Sequence, residues 1–198
     1  MSNHAIGSAP RTESRYPSVA LPVSRRRFVL STLAAAFAGA ALMPALASAR
    51  QAIFAPAELS IPSIGLDASI QQVHIVDGVM EAPNDPWQVG WYSQLSFPGQ
   101  GSNVVMAGHK DFQNIGPAVF WDLRELQLDD EILLTSASGG QLVYKVDSID
   151  QFAVATPPSE YTEPEGHESL TLITCAGTYD GSTYDERLIV RASLQSNA

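Results

Sequence analysis

The stretch "SLTLITCAGTYDGSTYDERLIV", Ser169 to Val190, contains the only cysteine of the chain, Cys175, and an arginine twelve residues later, Arg187. A segment rich in Gly, Thr, Asp and Ser separates two runs with strand character, Ser169 to Cys175 and Arg187 to Leu194. The first is expected to end at Cys175 and the second to begin at Arg187, joined by the eleven-residue loop Ala176 to Glu186. If the two strands pair antiparallel, Cys175 and Arg187 lie opposite one another with side chains on the same face. A thiol and a guanidinium thus become neighbours. A single cysteine allows no internal disulfide, so oxidative stapling has no part in the fold.

Outward from this stretch the same pattern recurs from about Ala57. Leu59 to Val76 holds two short alternating runs broken by Pro62 and Gly65. Ser102 to His109, Glu131 to Ser136 and Gln141 to Val154 follow, each bounded by Gly, Pro, Asp or Ser clusters. Ser138 to Gly140, "SGG", reads as a tight hairpin. One helical piece is expected, "PAVFWDLRELQ" (Pro117 to Gln127), where Phe120, Leu123 and Leu126 sit near helical spacing; "PPSEY" after Thr156 adds a turn. Short, evenly spaced strands with few helices predict an all-β fold, a closed or nearly closed barrel with one or two short helices.

A chain of 198 residues with 45% hydrophobic content suffices for one well-cored domain with an appended segment. Its net charge of -10 becomes more negative without the first 49 residues: Arg50 to Ala198 holds six Lys and Arg against twenty Asp and Glu, or 6 - 20 = -14. So acidic a body disfavours nucleic acid and anionic lipid as partners. The appended segment reads as an address. "SRRRFVL" (Ser24 to Leu30) precedes an Ala-rich apolar stretch that ends near Pro44 in Ala-x-Ala runs at Ala45 to Ala49. Charged region, apolar region and cleavage signal stand in the order of an export signal, and the paired arginines before Phe28 resemble the twin-arginine type. Residues 1–49 are therefore expected to be leader and export signal, 50–57 a short linker and 58–198 the folded domain. The apolar stretch is also long enough to anchor the chain in a bilayer, so release and anchoring both stay open.

His109 ends the run "VVMAGH", directly after Gly108, which leaves room for backbone or substrate to approach. Cys175, His109 and Arg187 at three strand ends of one rim supply a nucleophile, a proton carrier and a fixed positive donor. That set suffices for acyl transfer through a thioester.

"TLITC" (Thr171 to Cys175), "AGHKD" (Ala107 to Asp111) and the arginine of "DERLIVRA" (Asp185 to Ala192) resemble, in order and spacing, the cysteine, histidine and arginine motifs of the sortases. The resemblance runs from about Glu58 to Leu194 and includes "IPSIGLDASI" near the start and "VGWY" with "FPG" (Val89 to Gly99) before the histidine run. "GPAVFWDL" (Gly116 to Leu123) and "TCAGTYD" (Thr174 to Asp180) look most like class D, E and F members. The resemblance implies an eight-stranded barrel that cleaves an LPxTG-like sorting signal and joins the new C-terminus to an amine on the cell wall or a pilin. Carried over by position, Cys175 attacks, His109 moves the proton, and Arg187 holds the oxyanion or the peptide. Thr174 beside the nucleophile supports the loop or the oxyanion hole. No cofactor or metal is implied, and the expected location is the extracytoplasmic face of the membrane or the cell surface.

The rival activity is that of an exported cysteine hydrolase or L,D-transpeptidase, which also needs Cys and His, but the S-H-G-C context of the latter is absent. "NDPWQ" (Asn84 to Gln88) reads as an ordinary turn. His74 and His167 lack partners at metal-ligand spacing, and the acidic runs Asp129 to Glu131 and Glu160 to Glu168 read as solvated faces.

Overall fold

A computed structural model describes residues 54–195, so the expected leader and export signal lie outside the described residues. Strand β1 (Pro56–Ile61) begins two residues inside the stretch expected as linker, as proline tolerates the first position of a strand. It is followed by β2 (Leu66–Gln72), a small hairpin of β3 (Ile75–Val76) and β4 (Val79–Met80), then β5 (Val89–Trp91) and β6 (Asn103–Ala107). A second small pair, β7 (Asp111–Phe112) and β8 (Gly116–Pro117), precedes β9 (Glu131–Ser136) and β10 (Gln141–Ala153). One helical turn, α1 (Ser159–Thr162), leads to β11 (Ser169–Tyr179) and β12 (Tyr184–Leu194).

Eight of these strands close a barrel in the order β1-β2-β5-β6-β11-β12-β10-β9. Strand β5, which is not among the runs expected to be strands, has only three residues, all buried, too few to show a period in sequence. Most neighbours are antiparallel, but β2 with β5 and β6 with β11 run parallel. Alternation sorts the side chains between two clusters. Leu59, Met106, Ile132, Leu134, Leu170, Leu172 and Val190 fill the barrel, whereas Val105, Ile173 and Ile189 on the intervening positions face outward. There they meet Val73, Tyr92 and Tyr161 in a second buried cluster on the barrel wall. Burying one such aliphatic side chain contributes roughly 1.5–3 kcal/mol, so a one-residue slip of β11 would lose both clusters.

Two expectations change. Pro117 to Gln127 is no α-helix: it starts in β8, passes through turns and contains one 3-10 turn, Leu123–Glu125. Phe120, Leu123 and Leu126 are buried at spacings of three, which a 3-10 turn satisfies as well as an α-helix does. The backbone also bonds elsewhere, Ala118 N–H to the Lys110 carbonyl at 2.9 Å and Phe120 N–H to the His109 carbonyl at 2.9 Å. The segment is spent on bracing the histidine. The supposed loop after Cys175 is mostly hairpin, because β11 runs on to Tyr179 and β12 starts at Tyr184. A register shift between Ala176 and Tyr179, with Gly177 at φ 75°, lets the strands continue. The Asp180 carboxylate then caps the tip by accepting from the N–H groups of Ser182 (2.7 Å) and Thr183 (2.8 Å). The "SGG" hairpin joins β9 to β10, with Gly139 at φ 86°, and the turn expected after Thr156 is α1.

Gly108 lies where the bracing segment crosses the end of β6. A Cβ there would sit 2.6 Å from Phe120 Cδ2 and 2.8 Å from Val119 Cγ1, and Phe120 is fully buried and cannot retreat. Gly108→Ala should therefore destabilise the fold by about 1–3 kcal/mol, a drop of several degrees in thermal unfolding. An unchanged Tm would show that the segment yields freely.

Candidate active site

Parallel strands bring their C-terminal ends to one rim, and an antiparallel neighbour brings its N-terminal end there. Strand β6 pairs with β11 up to Ala107 opposite Ile173, and the Gly108 N–H then donates to the Ile173 carbonyl at 3.1 Å. The buried Thr174 hydroxyl returns a bond to the Gly108 carbonyl at 2.8 Å. His109 and Cys175, one residue further along each strand, thus leave the paired region side by side. On the other flank of β11, Cys175 pairs with Arg187 of β12. Cys175 and Arg187 thus pair at one barrel end, and His109 follows the end of the neighbouring strand there.

Each is held differently. Cys175 is half-buried and free. His109 is half-buried, with Nε2 2.8 Å from the Pro83 carbonyl and its ring edge-on to Phe112 at 5.1 Å. A carbonyl only accepts, so Nε2 carries the hydrogen and Nδ1 is the nitrogen left to exchange a proton. Arg187 Nη1 donates to the carbonyls of Glu186 (2.9 Å) and Tyr184 (3.3 Å). Its Nε and Nη2 hydrogens have no protein acceptor among the described residues, so one side of the fork is open.

A cleft of about 400 Å³ is lined at one place by Cys175 and Arg187. Ala107 and Ile173 form its floor, Val79, Met80 and Ala82 one wall, and Val154, Pro158 and Tyr161 the other. The first wall is the β3–β4 hairpin, a tight turn with Asp77 and Gly78 both at positive φ. Gln94 fastens it by accepting from the Ile75 N–H at 2.6 Å. The second wall is tied down by Asn103, whose amide donates to the Thr162 carbonyl at 3.1 Å while its oxygen accepts from the Thr171 hydroxyl at 2.9 Å. Burial pushes the Tyr161 phenol up, against the opposing pull of the nearby Arg187 charge.

The sortase-domain family model matches residues 59–195. The chain belongs to the sortase family. Among solved structures, this sortase resembles a lid mutant of sortase A from Corynebacterium diphtheriae, with a TM-score of 0.58 and 24% identity over 75% of this chain and 74% of that one. It is similar to the sortase D5 transpeptidase of Clostridium perfringens, with a TM-score of 0.55 and 22% identity over 71% and 79% of the two chains. Sortase C1 of Streptococcus agalactiae gives 0.56 and 22% over 72% and 68%. At these identities the likeness is one of fold. No curated protein matches the chain. Function as a sortase transpeptidase follows from family membership, and the hydrolase and L,D-transpeptidase alternatives are not favoured.

Several neighbours of the site escaped the sequence. The β3–β4 hairpin had a usable signal, Asp77-Gly78 between apolar pairs. The Pro83 carbonyl and the wall of Val154 and Tyr161 had none, because they reach the site only through tertiary packing. "NDPWQ" is an ordinary turn, with the Trp87 N–H on Asp85 Oδ1 at 2.9 Å. His167 stands 3.9 Å from Glu165, and no three His, Cys, Asp or Glu side chains gather at metal-binding distance among the described residues.

Thr174→Val keeps shape and removes the hydroxyl that ties β11 to the carbonyl just before His109. It should cost about 1 kcal/mol and lower turnover together with Tm. Wild-type stability in this variant would mean the bond does not brace the rim.

Proposed function

We propose that this sortase acts through Cys175, His109 and Arg187, and the pairing of Cys175 with Arg187 in the lining of an apolar cleft supports the reading most directly. An extended LPxTG-like signal lies along the cleft, its apolar residues against Ile173 and Tyr161. Cys175 gives its thiol proton to His109 as Sγ attacks the threonine carbonyl carbon, and His109 passes that proton to the leaving glycine amine as the peptide bond breaks. The product is a thioester on Cys175. An amine of the cell wall or a pilin then attacks that thioester, the C–S bond breaks, and the proton passes through His109 to the sulfur.

The open side of the Arg187 fork holds the oxyanion or the adjoining peptide carbonyl, a contact commonly worth ~3 kcal/mol for one well-directed donor. Thr174 acts as a positioning residue beneath both strands. The "GPAVFWDL" and "TCAGTYD" segments support assignment to class D, E or F. The twin-arginine signal would carry the domain to the extracytoplasmic side, either released or anchored.

Fluorogenic LPxTG-like peptides test the reading. Cys175→Ala should abolish cleavage with the fold intact. Arg187→Lys replaces a planar fork with a point charge, and should lose on the order of a hundredfold in turnover while iodoacetamide still alkylates Cys175. Near-normal turnover with lysine would reduce Arg187 to a general positive charge.

A further inference from the structure

Cys175 also lines a second, smaller cleft of about 150 Å³ on its other side, with Lys110, Trp121, Arg124, Gln151 and Gly177. The space is small beside the cleft of about 400 Å³ and suits a small polar group rather than an extended chain. Its charge is unusual for this protein. Residues 54–195 carry five Lys and Arg against twenty Asp and Glu, and two of the five cations, Lys110 and Arg124, line this small space.

Neither cation is neutralised by a carboxylate within ion-pair distance among the described residues, where the ion pairs present involve Glu165 with His167 and Arg191. Aromatic faces hold them instead. The Arg124 guanidinium carbon is 5.0 Å from the Trp121 ring centre, and Lys110 Nζ is 4.2 Å from that of Tyr184 and 6.0 Å from that of Trp121. Tyr184 is in turn fixed by its hydroxyl on the Asp111 carboxylate, which pushes the phenol up to about 12 and keeps it a neutral platform. A cation on an aromatic face keeps its hydrogen-bond donors for a ligand.

We infer that this second cleft is the acceptor subsite, and that it selects an amine bearing a carboxylate within a few bonds. The inference rests on the proposed function: with the sorting peptide in the apolar cleft, the thioester on Cys175 is open to attack from the other side. Two uncompensated cations there repel a plain ammonium and favour the neutral, nucleophilic amine. They also attract a carboxylate attached to it. The amine nitrogen forms the new C–N bond as the C–S bond breaks, and one amine proton ends on the Cys175 sulfur.

The test compares glycine with glycinamide as acceptor for the same LPxTG-like peptide, in wild type, Arg124→Gln and Arg124→Lys. The quantity read is the ratio of the two acceptors' kcat/KM values, in which the intrinsic difference between the amines cancels from one variant to the next. The ratio should fall about fivefold in Arg124→Gln and much less in Arg124→Lys, as expected for one exposed charge contact. In wild type it should also fall as salt rises from about 0.05 to about 0.5 M. A thioester that forms normally, with a ratio unmoved by both salt and Arg124→Gln, overturns the acceptor inference alone. Absence of a thioester in wild type overturns the proposed function and this inference with it.

Discussion

The parallel pairing of β6 with β11 is the constraint on which the candidate site depends, because it alone brings the segments containing His109 and Cys175 to a common end of the barrel. Two bonds close that end, Gly108 N–H to the Ile173 carbonyl and the Thr174 hydroxyl to the Gly108 carbonyl, the latter across 66 residues of chain. Closing a loop of that length costs on the order of 4 kcal/mol in chain entropy. The bonds cannot carry this alone, at about 1 kcal/mol net each. Burial does, through Val104, Met106, Leu170 and Leu172 inside the barrel and Val105 with Ile173 outside it.

Clothing the barrel wall on its outer face has a functional consequence. The cluster around Tyr92, Tyr161 and Ile173 finishes the fold and also floors a cleft with little polar lining, suited to an extended peptide with apolar side chains. The walls come from short segments tied to the barrel by a few side-chain bonds, among them those of Gln94 and Asn103, so the cleft is shaped by the fold while its rims are local additions. Three of the five Lys and Arg of residues 54–195, Arg187 in one cleft and Lys110 and Arg124 in the other, stand around one thiol.

Much of this was legible in the sequence, for identifiable reasons. Strand-like apolar runs bounded by turn residues, Ser169 to Cys175 and Arg187 to Leu194, marked both strands, and their antiparallel pairing put Cys175 opposite Arg187. The histidine run was equally visible. The parallel register was not, since no local signal joins β6 to a strand 66 residues on. Pro117 to Gln127 misled because burial at every third residue fits two kinds of turn, and only tertiary backbone bonds such as those of the Ala118 and Phe120 N–H groups to the Lys110 and His109 carbonyls decide between them. The Pro83 carbonyl on His109 is a backbone group, which any residue type supplies, so composition could not reveal it.

The central claim is that this rim makes Cys175 the acyl-carrying nucleophile of the transpeptidase. Incubation of the domain with an LPxTG-like peptide in the absence of amine, followed by acid quench and peptide mapping by mass spectrometry, tests it most directly. The account predicts a mass gain equal to the acyl fragment ending in threonine, located on the peptide containing Cys175 and removed by hydroxylamine. An adduct on any other residue, or peptide cleavage with Cys175 unmodified at every time point, would contradict it.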